Sequence, residues 1–310
     1  MTRLIPFALL AAGTAAMYVL MPYNLAFATR ILVMGIFVLS IDLVLGFAGI
    51  ATLGQAAMYG AGAYGAALFA AHVWAEPVVG LVFGAGVGAL VALVSGLILM
   101  RATGLTLIML TIAVAALLSE TANRARDLTG GADGLRVTFS PVLGLFEFDF
   151  IGQTGFWYAA CVGTIVLGLL VIIARSPFGL SLKGLHASAA RMSAIGAPVY
   201  PRKVAAYTLG GAIAGVAGAV SAQVSGLVSL ETFSFTLSAE ALIMLILGGT
   251  GRLWGALLGT VLFMFAHHYA AATDPFNWLF AIGAMVMLVV FVLPQGLLSL
   301  PKTLKGGRND

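Results

Sequence analysis

Apolar stretches of about membrane-spanning length follow one another along almost the whole chain. Of the 310 residues, 61% are hydrophobic and only 8% are charged, and the mean hydropathy is +1.09. The ten runs lie near residues 5–21, 31–47, 56–74, 78–99, 105–118, 157–174, 204–224, 237–247, 253–270 and 278–293. Because a helix needs roughly 20 mainly apolar residues to cross a bilayer, we predict an all-α integral membrane protein, a polytopic bundle of about eight to ten transmembrane helices that fills residues 1–310 as one domain.

Two parts of this pattern are weaker as full crossings. The run at 237–247 is short for a membrane span. Residues 46–56, between the second and third runs, are rich in glycine and are typical of a broken or re-entrant helix. The range of eight to ten spans, rather than a single number, follows from these two segments.

A basic loop between two apolar runs sets the orientation. Residues 175–203 contain Arg175, Lys183, Arg191, Arg202 and Lys203 and no acidic residue. Loops enriched in Lys and Arg stay in the cytoplasm, so we predict that this loop, the tail at 301–310 and both termini are cytoplasmic if all ten runs cross. Within the loop, the 3, 4, 3 spacing of Leu182, Leu185, Ala189 and Met192 predicts one apolar face on one helix, suited to pressing against a partner.

The first apolar run has an alternative interpretation. Arg3, an apolar stretch and the small residues around Ala26 and Ala28 resemble a signal peptide with its cleavage site. A retained first helix is simpler, because the apolar stretch is longer than a signal core and cleavage would leave an odd number of crossings.

Glycines recur at four-residue spacing in three places. They are Gly80, Gly84 and Gly88, then Gly211 and Gly215, then Gly255 and Gly259. Small residues at this spacing allow helices to approach closely in lipid, so we predict close helix contacts at these positions.

Two glycine-broken stretches, 46–62 and 248–259, lie in opposite halves of the chain. Interrupted helices in corresponding positions often line a transport path, whereas the alternative is that both are tight turns between spans. A carboxylate at membrane depth is costly and by default indicates function. The predicted substrate path consists of Asp42, Gly49, Gln55, Glu240, Gly249 and Thr250.

Motifs for enzymatic chemistry are absent from the sequence. There is no phosphate-binding GxxxxGK[ST], no GxSxG and no HExxH. His267 and His268 are adjacent and point about 100° apart on a helix, so they do not form a metal pair, and Cys161 is the only cysteine. We predict a protein that is not an enzyme, binds no metal and uses ATP only through another subunit.

Ordered sequence blocks along nearly the whole chain resemble a known family. They are LVLGFAGIATLGQAAMYGAGAY (Leu43–Tyr64), DLTGGADGL (Asp127–Leu135), RSPFGLSLKGL (Arg175–Leu185), LILGGTGRLWGALLG (Leu245–Gly259) and VLPQGLLSL (Val292–Leu300). The chain resembles the longer of the two permease types in branched-chain amino acid ABC importers. The resemblance implies a permease of the bacterial inner membrane that works by alternating access with a second permease, two ATPase subunits and an external solute-binding protein.

The resemblance also implies a role for the basic loop. In such importers a short coupling helix docks on the ATPase and carries an acidic residue, two alanines and a later glycine. Ala189, Ala190 and Gly196 match this pattern. Ser188 stands where the acidic residue is expected. Lys183 and Arg191 then take over part of the electrostatic role of that residue. These six residues are the predicted coupling set.

Another class of function remains open at this stage. An ion-coupled secondary transporter or a channel would use Asp42 or Glu240 as its coupling site and would need no ATPase. Leucine, isoleucine and valine are the substrates that the resemblance implies, although urea and short-amide importers use similar permeases. Nucleic acid is not expected as a partner, because the positive charges lie in loops that flank the lipid bilayer.

Overall fold

The computed structural model describes residues 24–142 and 152–273, together with the single positions 13, 14, 18, 144, 280, 283 and 287. Its helices are α1 (Leu25–Ile41), α2 (Gln55–His72), α3 (Pro77–Leu99), α4 (Leu105–Arg124), α5 (Arg126–Thr129), α6 (Gln153–Arg175), α7 (Pro177–Ala187), α8 (Ala189–Ala194), α9 (Val199–Ser225), α10 (Phe235–Gly248) and α11 (Leu253–Thr273). A π-helical segment, Asp42–Phe47, continues α1, and short 3-10 helices cover Gly131–Asp133 and Leu230–Phe233. Two short strands, β1 (Leu135–Arg136) and β2 (Leu227–Val228), pair antiparallel.

The helices confirm an all-α, multi-pass membrane protein. Six of them are long and apolar enough to cross a bilayer: Leu25–Phe47, Pro77–Leu99, Leu105–Arg124, Gln153–Arg175, Val199–Ser225 and Leu253–Thr273. Helix α10, with 14 residues, is apolar but extends only about 21 Å, less than the hydrocarbon thickness. The predicted runs at 5–21 and 278–293 and the tail at 301–310 lie outside the described residues, apart from isolated positions. The total number of crossings therefore stays a prediction.

The core of the bundle is formed by α1, α2 and α9, and α1 and α9 are the most buried of the membrane-spanning helices. Within their membrane spans 78% and 72% of the residues are buried, compared with 28% for α3 and 22% for α4. Helices α3 and α9 approach closely along the predicted glycine rows, because a Cβ on Gly88 would lie 2.6 Å from the Gly211 carbonyl oxygen. Gly255 of α11 is similarly close to α10, since its Cβ would lie 2.7 Å from the Gly248 oxygen. The predicted close contacts are confirmed.

The bundle has two distinguishable ends. At the basic end, α7 and α8 connect α6 to α9, and the Tyr200 hydroxyl at the start of α9 donates to the Leu97 carbonyl oxygen at 2.6 Å. At the ribbon end, β1 pairs with β2, and the Gln223 amide of α9 donates to the Pro77 carbonyl oxygen at 2.7 Å while accepting from the Tyr158 hydroxyl at 2.6 Å. Helices α1 and α9 therefore run in opposite directions, toward the basic end and the ribbon end respectively.

Two irregular connections enter the bundle from opposite ends. Residues 48–54 follow the π segment at the basic end, and residues 226–234 follow α9 at the ribbon end. Helix α2 begins in the buried interior, where the Ala56 amide donates to the Ser238 hydroxyl of α10 at 2.9 Å, whereas the first two residues of α10 are exposed. The buried backbone of the first connection is also held by α4, because the Leu53 amide donates to the Thr111 hydroxyl. This arrangement satisfies backbone groups that lipid could not.

Of the two interpretations left open for the second glycine-broken stretch, 248–259, the structure shows the tight turn. There α10 ends at Gly248, four residues form a turn, and α11 begins at Leu253, so this stretch is the tight turn that was the alternative. The structural counterpart of the first break is the connection at 226–234. The glycines of 248–259 serve close helix packing, because a side chain on Gly248 or Gly259 would overlap the backbone of the facing helix.

Candidate functional site

A buried carboxylate joins the π segment to the turn between α10 and α11. Asp42 has no solvent exposure, and its Oδ1 accepts a hydrogen bond from the Gly251 amide at 2.7 Å. Its Oδ2 has no hydrogen-bond partner within the part of the chain that the structure describes. Single turns of π-helix are often found at functional sites, and intramembrane carboxylates are rarely placed without a role. The geometry thus supports Asp42 as a site residue.

Glycine is required at both sides of this contact. A Cβ on Gly46 would overlap the Asp42 carboxylate and the Gly251 backbone. Gly251 has φ +75°, a conformation that favours glycine, and a Cβ there would lie 3.2 Å from the Gly46 carbonyl oxygen. The π segment and the turn therefore touch through their backbones.

Gln55 lies at the other end of the first irregular connection. Its side chain is fully buried, and neither its amide nitrogen nor its amide oxygen has a partner among the described residues. Helix α9 lies close to this side chain, since a Cβ on Gly210 would lie 3.6 Å from the Gln55 nitrogen. Buried polar groups without partners are rare in native structures, and a functional role or a bound water or ion is the usual explanation. Asp42 and Gln55 thus put unsatisfied polar atoms at both ends of the same connection.

The remaining predicted path residues are divided between two places. Gly249, with φ +104°, and Thr250 belong to the turn that contacts Asp42. Gly49 has φ +68° and lies at the basic end against α7, because a Cβ there would meet the His186 Cα at 3.2 Å. Glu240 is half-buried on α10, about 12 Å along the helix from Gly248, and is not part of the Asp42 cluster.

The basic loop is folded into two short helices with a break between them. Ser188 has φ −168° and ψ 106°, so α7 ends at Ala187 and α8 begins at Ala189. The predicted single apolar face is therefore wrong, because its four residues lie on two helices. Leu182 and Leu185 are buried against the bundle, whereas Met192 folds back toward Gly184 of α7.

Ser188 has a clear structural role at the position where an acid was expected. Its hydroxyl accepts from the Arg191 amide at 3.3 Å and so forms the N-cap of α8. Serine and aspartate are both good N-caps, so serine can replace the expected acid in this role. Gly196 follows α8 with φ +79°, which explains the glycine at this position. Ala190 and Arg191 are exposed at the basic end, and Ala189 is half-exposed.

Loss of this cap gives a direct test. We expect Ser188→Ala to speed amide hydrogen exchange in residues 189–194 by about twofold to thirtyfold, which corresponds to about 0.5–2 kcal/mol of cap stability. Ser188→Asp should restore protection, and Ser193→Ala, which changes an exposed serine of the same helix, is the control. Equal exchange in Ser188→Ala and Ser193→Ala would contradict the capping role.

Helix α7 contacts the end of the π segment. The Lys183 ammonium lies 5.5 Å from the centroid of the Phe47 ring, within the range of a cation–π contact. Together with the contact between Gly49 and His186, this places α7 directly on the chain that leads to Asp42. The predicted coupling residue Lys183 and the predicted path residue Gly49 therefore both lie where α7 meets the end of the π segment.

One charged residue of the membrane region was missed in the sequence analysis. Arg30 lies in the second turn of α1, one residue before the predicted run at 31–47. It is exposed, and it lines a cavity at the ribbon end. The only signal for Arg30 in the sequence was that mainly apolar residues flank it on both sides.

Comparisons with known proteins agree with this architecture. The family described as "Branched-chain amino acid transport system / permease component" matches residues 23–293. The chain is 27% identical to the high-affinity branched-chain amino acid transport system permease protein LivM of Salmonella typhimurium, over 97% of this chain and 76% of that protein. It is 26% identical to LivM of Escherichia coli, over 89% of this chain and 70% of that protein. No solved structure matches the chain.

Proposed function

The chain belongs to the family of branched-chain amino acid transport system permease components, and we propose that it is the membrane subunit of an ATP-driven importer of leucine, isoleucine and valine. The names of both LivM relatives support this substrate class. The observation that carries the proposal is the continuous contact from α7 through Phe47 and the π segment to Asp42 and Gly251, which joins an exposed basic surface to a buried polar site.

The partners follow from the family and from the charge distribution. We propose two ATPase subunits at the basic end, a second permease beside this one and a solute-binding protein at the ribbon end. Residues 175–203 contain five cationic residues and no acidic residue. This charge pattern favours a basic end on the cytoplasmic side of the bacterial inner membrane, with both termini on that side. This chain then binds no cofactor, and ATP is used by its partners.

Movement of α7 and α8 would be transmitted through direct backbone contacts. ATPase closure would push α7 and α8, and α7 contacts Phe47 and Gly49. Because Gly46 touches Gly251 without an intervening side chain, the turn at 249–252 would follow the π segment. A packed element with two arrangements of this kind is what alternating access requires. Asp42 and Gln55 would present their unsatisfied atoms to the passing solute.

A site-specific crosslink tests the proposal. In a Cys161→Ser background, we expect Ser193→Cys on α8 to crosslink to an ATPase that co-purifies from native membranes, because Ser193 is exposed at the basic end. Thr121→Cys, exposed at the ribbon end of α4, is the matched control and should not form this crosslink. Efficient crosslinking to no ATPase, or leucine uptake into proteoliposomes that does not require ATP, would contradict the importer.

A further inference from the structure

A cavity of about 420 Å³ opens at the ribbon end, and none of the predicted path residues lines it. Its walls come from α1, Tyr59 in the second turn of α2, the end of α9, the connection at 226–234 and the start of α10. Its volume lies within the range of about 300–1,000 Å³ that is typical of small-ligand sites. This cavity has room for a small solute.

Two opposite charges line the cavity from different elements. Arg30 projects from α1, and Glu231 belongs to the 3-10 helix Leu230–Phe233 in the second irregular connection. Neither side chain forms an ion pair with any residue that the structure describes. Arg30 lies within electrostatic range of the half-buried Glu240 on α10 but makes no ion-pair contact with it. Its guanidinium can therefore still hold the carboxylate of a ligand through paired hydrogen bonds.

The rest of the lining combines an apolar wall with hydroxyl groups. Val33 and Met34 of α1 and Leu237 of α10 supply the apolar surface. The hydroxyl-bearing residues include Tyr59, Ser221 and Ser229. An apolar pocket with a few polar groups at fixed positions is the usual composition of a specific small-molecule site.

From this lining we infer that the ribbon-end cavity is an access site for a zwitterionic α-amino acid with an aliphatic side chain. Arg30 would hold the carboxylate, Glu231 the ammonium group, and Val33, Met34 and Leu237 the side chain. The inference rests on the proposed function and deepens it, because it names the groups that select the solute inside the membrane subunit. An uncharged amide or urea would leave both charges without a partner.

The position of the cavity fits a first station on the path. Tyr59 lies in its wall and follows Gln55 by one helical turn, about 6 Å along α2. The second irregular connection forms the rim, and its Phe233 stacks on Tyr64 of α2 with ring centroids 5.5 Å apart. A solute that leaves the cavity toward the interior therefore meets the unsatisfied Gln55 amide next.

Uptake measurements with the complete transporter test the two charges. With saturating loaded binding protein, we expect Arg30→Gln and Glu231→Gln each to lower leucine uptake by about tenfold, because each removes a charge-assisted hydrogen bond. Arg136→Gln on β1 and Glu120→Gln on α4 are the controls, since both residues are exposed and neither lines the cavity. The inference would be overturned if the cavity variants take up leucine as fast as the control variants.

A labelling experiment reports binding without transport. In the purified transporter carrying Cys161→Ser and Ser229→Cys, we expect millimolar leucine to slow maleimide labelling at least threefold, whereas leucinol, which lacks the carboxylate, should not. Adding Arg30→Gln should abolish the protection. Equal labelling with and without leucine would overturn the inference, while wild-type ATP-driven leucine uptake would still stand as support for the proposed function. If the wild type itself fails to take up leucine, the proposed function fails instead.

Discussion

Gly84→Leu is expected to destroy the folded permease. A Cβ on Gly84 would lie only 2.8 Å from both the Ala219 Cβ of α9 and the Gly62 carbonyl oxygen of α2, so even the first side-chain atom has no room. Because three helices meet at this point, the strain cannot be relieved by moving one side chain. We expect the free energy of unfolding to fall by at least about 3 kcal/mol, which is at or above the upper end of the range for overpacked cores. Two quantities measure this loss: the yield of monodisperse protein in mild detergent, and the fraction that still elutes as monodisperse protein in size-exclusion chromatography after heating.

The same helix provides a matched control two residues away. Gly86 has nothing within 4 Å of its Cβ position and is exposed, so Gly86→Leu should leave recovery and thermal stability unchanged. The two variants have the same composition and nearly the same membrane insertion propensity. Similar recovery of both would mean that α3 does not pack on α2 and α9 as the structure has it.

Asp42→Ala is expected to reduce ATP-driven uptake by at least about tenfold, because a charged hydrogen bond of this kind contributes roughly 1.5–3 kcal/mol. Alanine removes the acceptor of the Gly251 amide and so separates the π segment from the turn at 249–252. ATPase activity should persist, since Asp42 is fully buried and is not part of the exposed surfaces of α7 and α8. Uptake into proteoliposomes with the full set of subunits, compared with ATP hydrolysis in the same vesicles, measures the effect.

Asp42→Asn distinguishes the importer from an ion-coupled transporter. The asparagine carbonyl still accepts from Gly251, so an importer should retain most of its uptake. An ion-coupled transporter that protonates Asp42 would lose transport in Asp42→Asn and would tolerate changes at Ala189 or Gly196. Loss of uptake in Asp42→Asn with normal activity in Ala189→Glu would therefore contradict the importer.

The architecture was predictable where burial depends on a repeating pattern. The described membrane spans match the apolar runs, and the glycine rows of α3 and α9 meet as their spacing predicted. Asp42 and Gln55 could be selected because a polar side chain inside an apolar run is costly to bury and is rarely kept there without a role. Family membership was predictable from ordered sequence blocks.

The features that were missed depend on contacts distant in sequence. The π-helical winding at 42–47 accompanies the contact between Asp42 and Gly251, which are 209 residues apart in the chain. The break at Ser188 could have been read from its capping preference, but the four apolar residues around it gave a stronger helical period. The second connection, 226–234, was missed because its residues carry no glycine-rich signature like that of 46–62.

The burial of α1 has a consequence for the order of biosynthesis. Helix α1 and its π segment leave the ribosome early, yet they are covered by α9, which is synthesised more than 150 residues later. Until then the buried Asp42 faces lipid, where a carboxylate costs about 2.5–3.5 kcal/mol at the bilayer centre. Nascent chains that stop before residue 199 should therefore be bound by an insertase or membrane chaperone and degraded quickly when released. The N-terminal half would become a stable part of the membrane only when its C-terminal counterpart arrives.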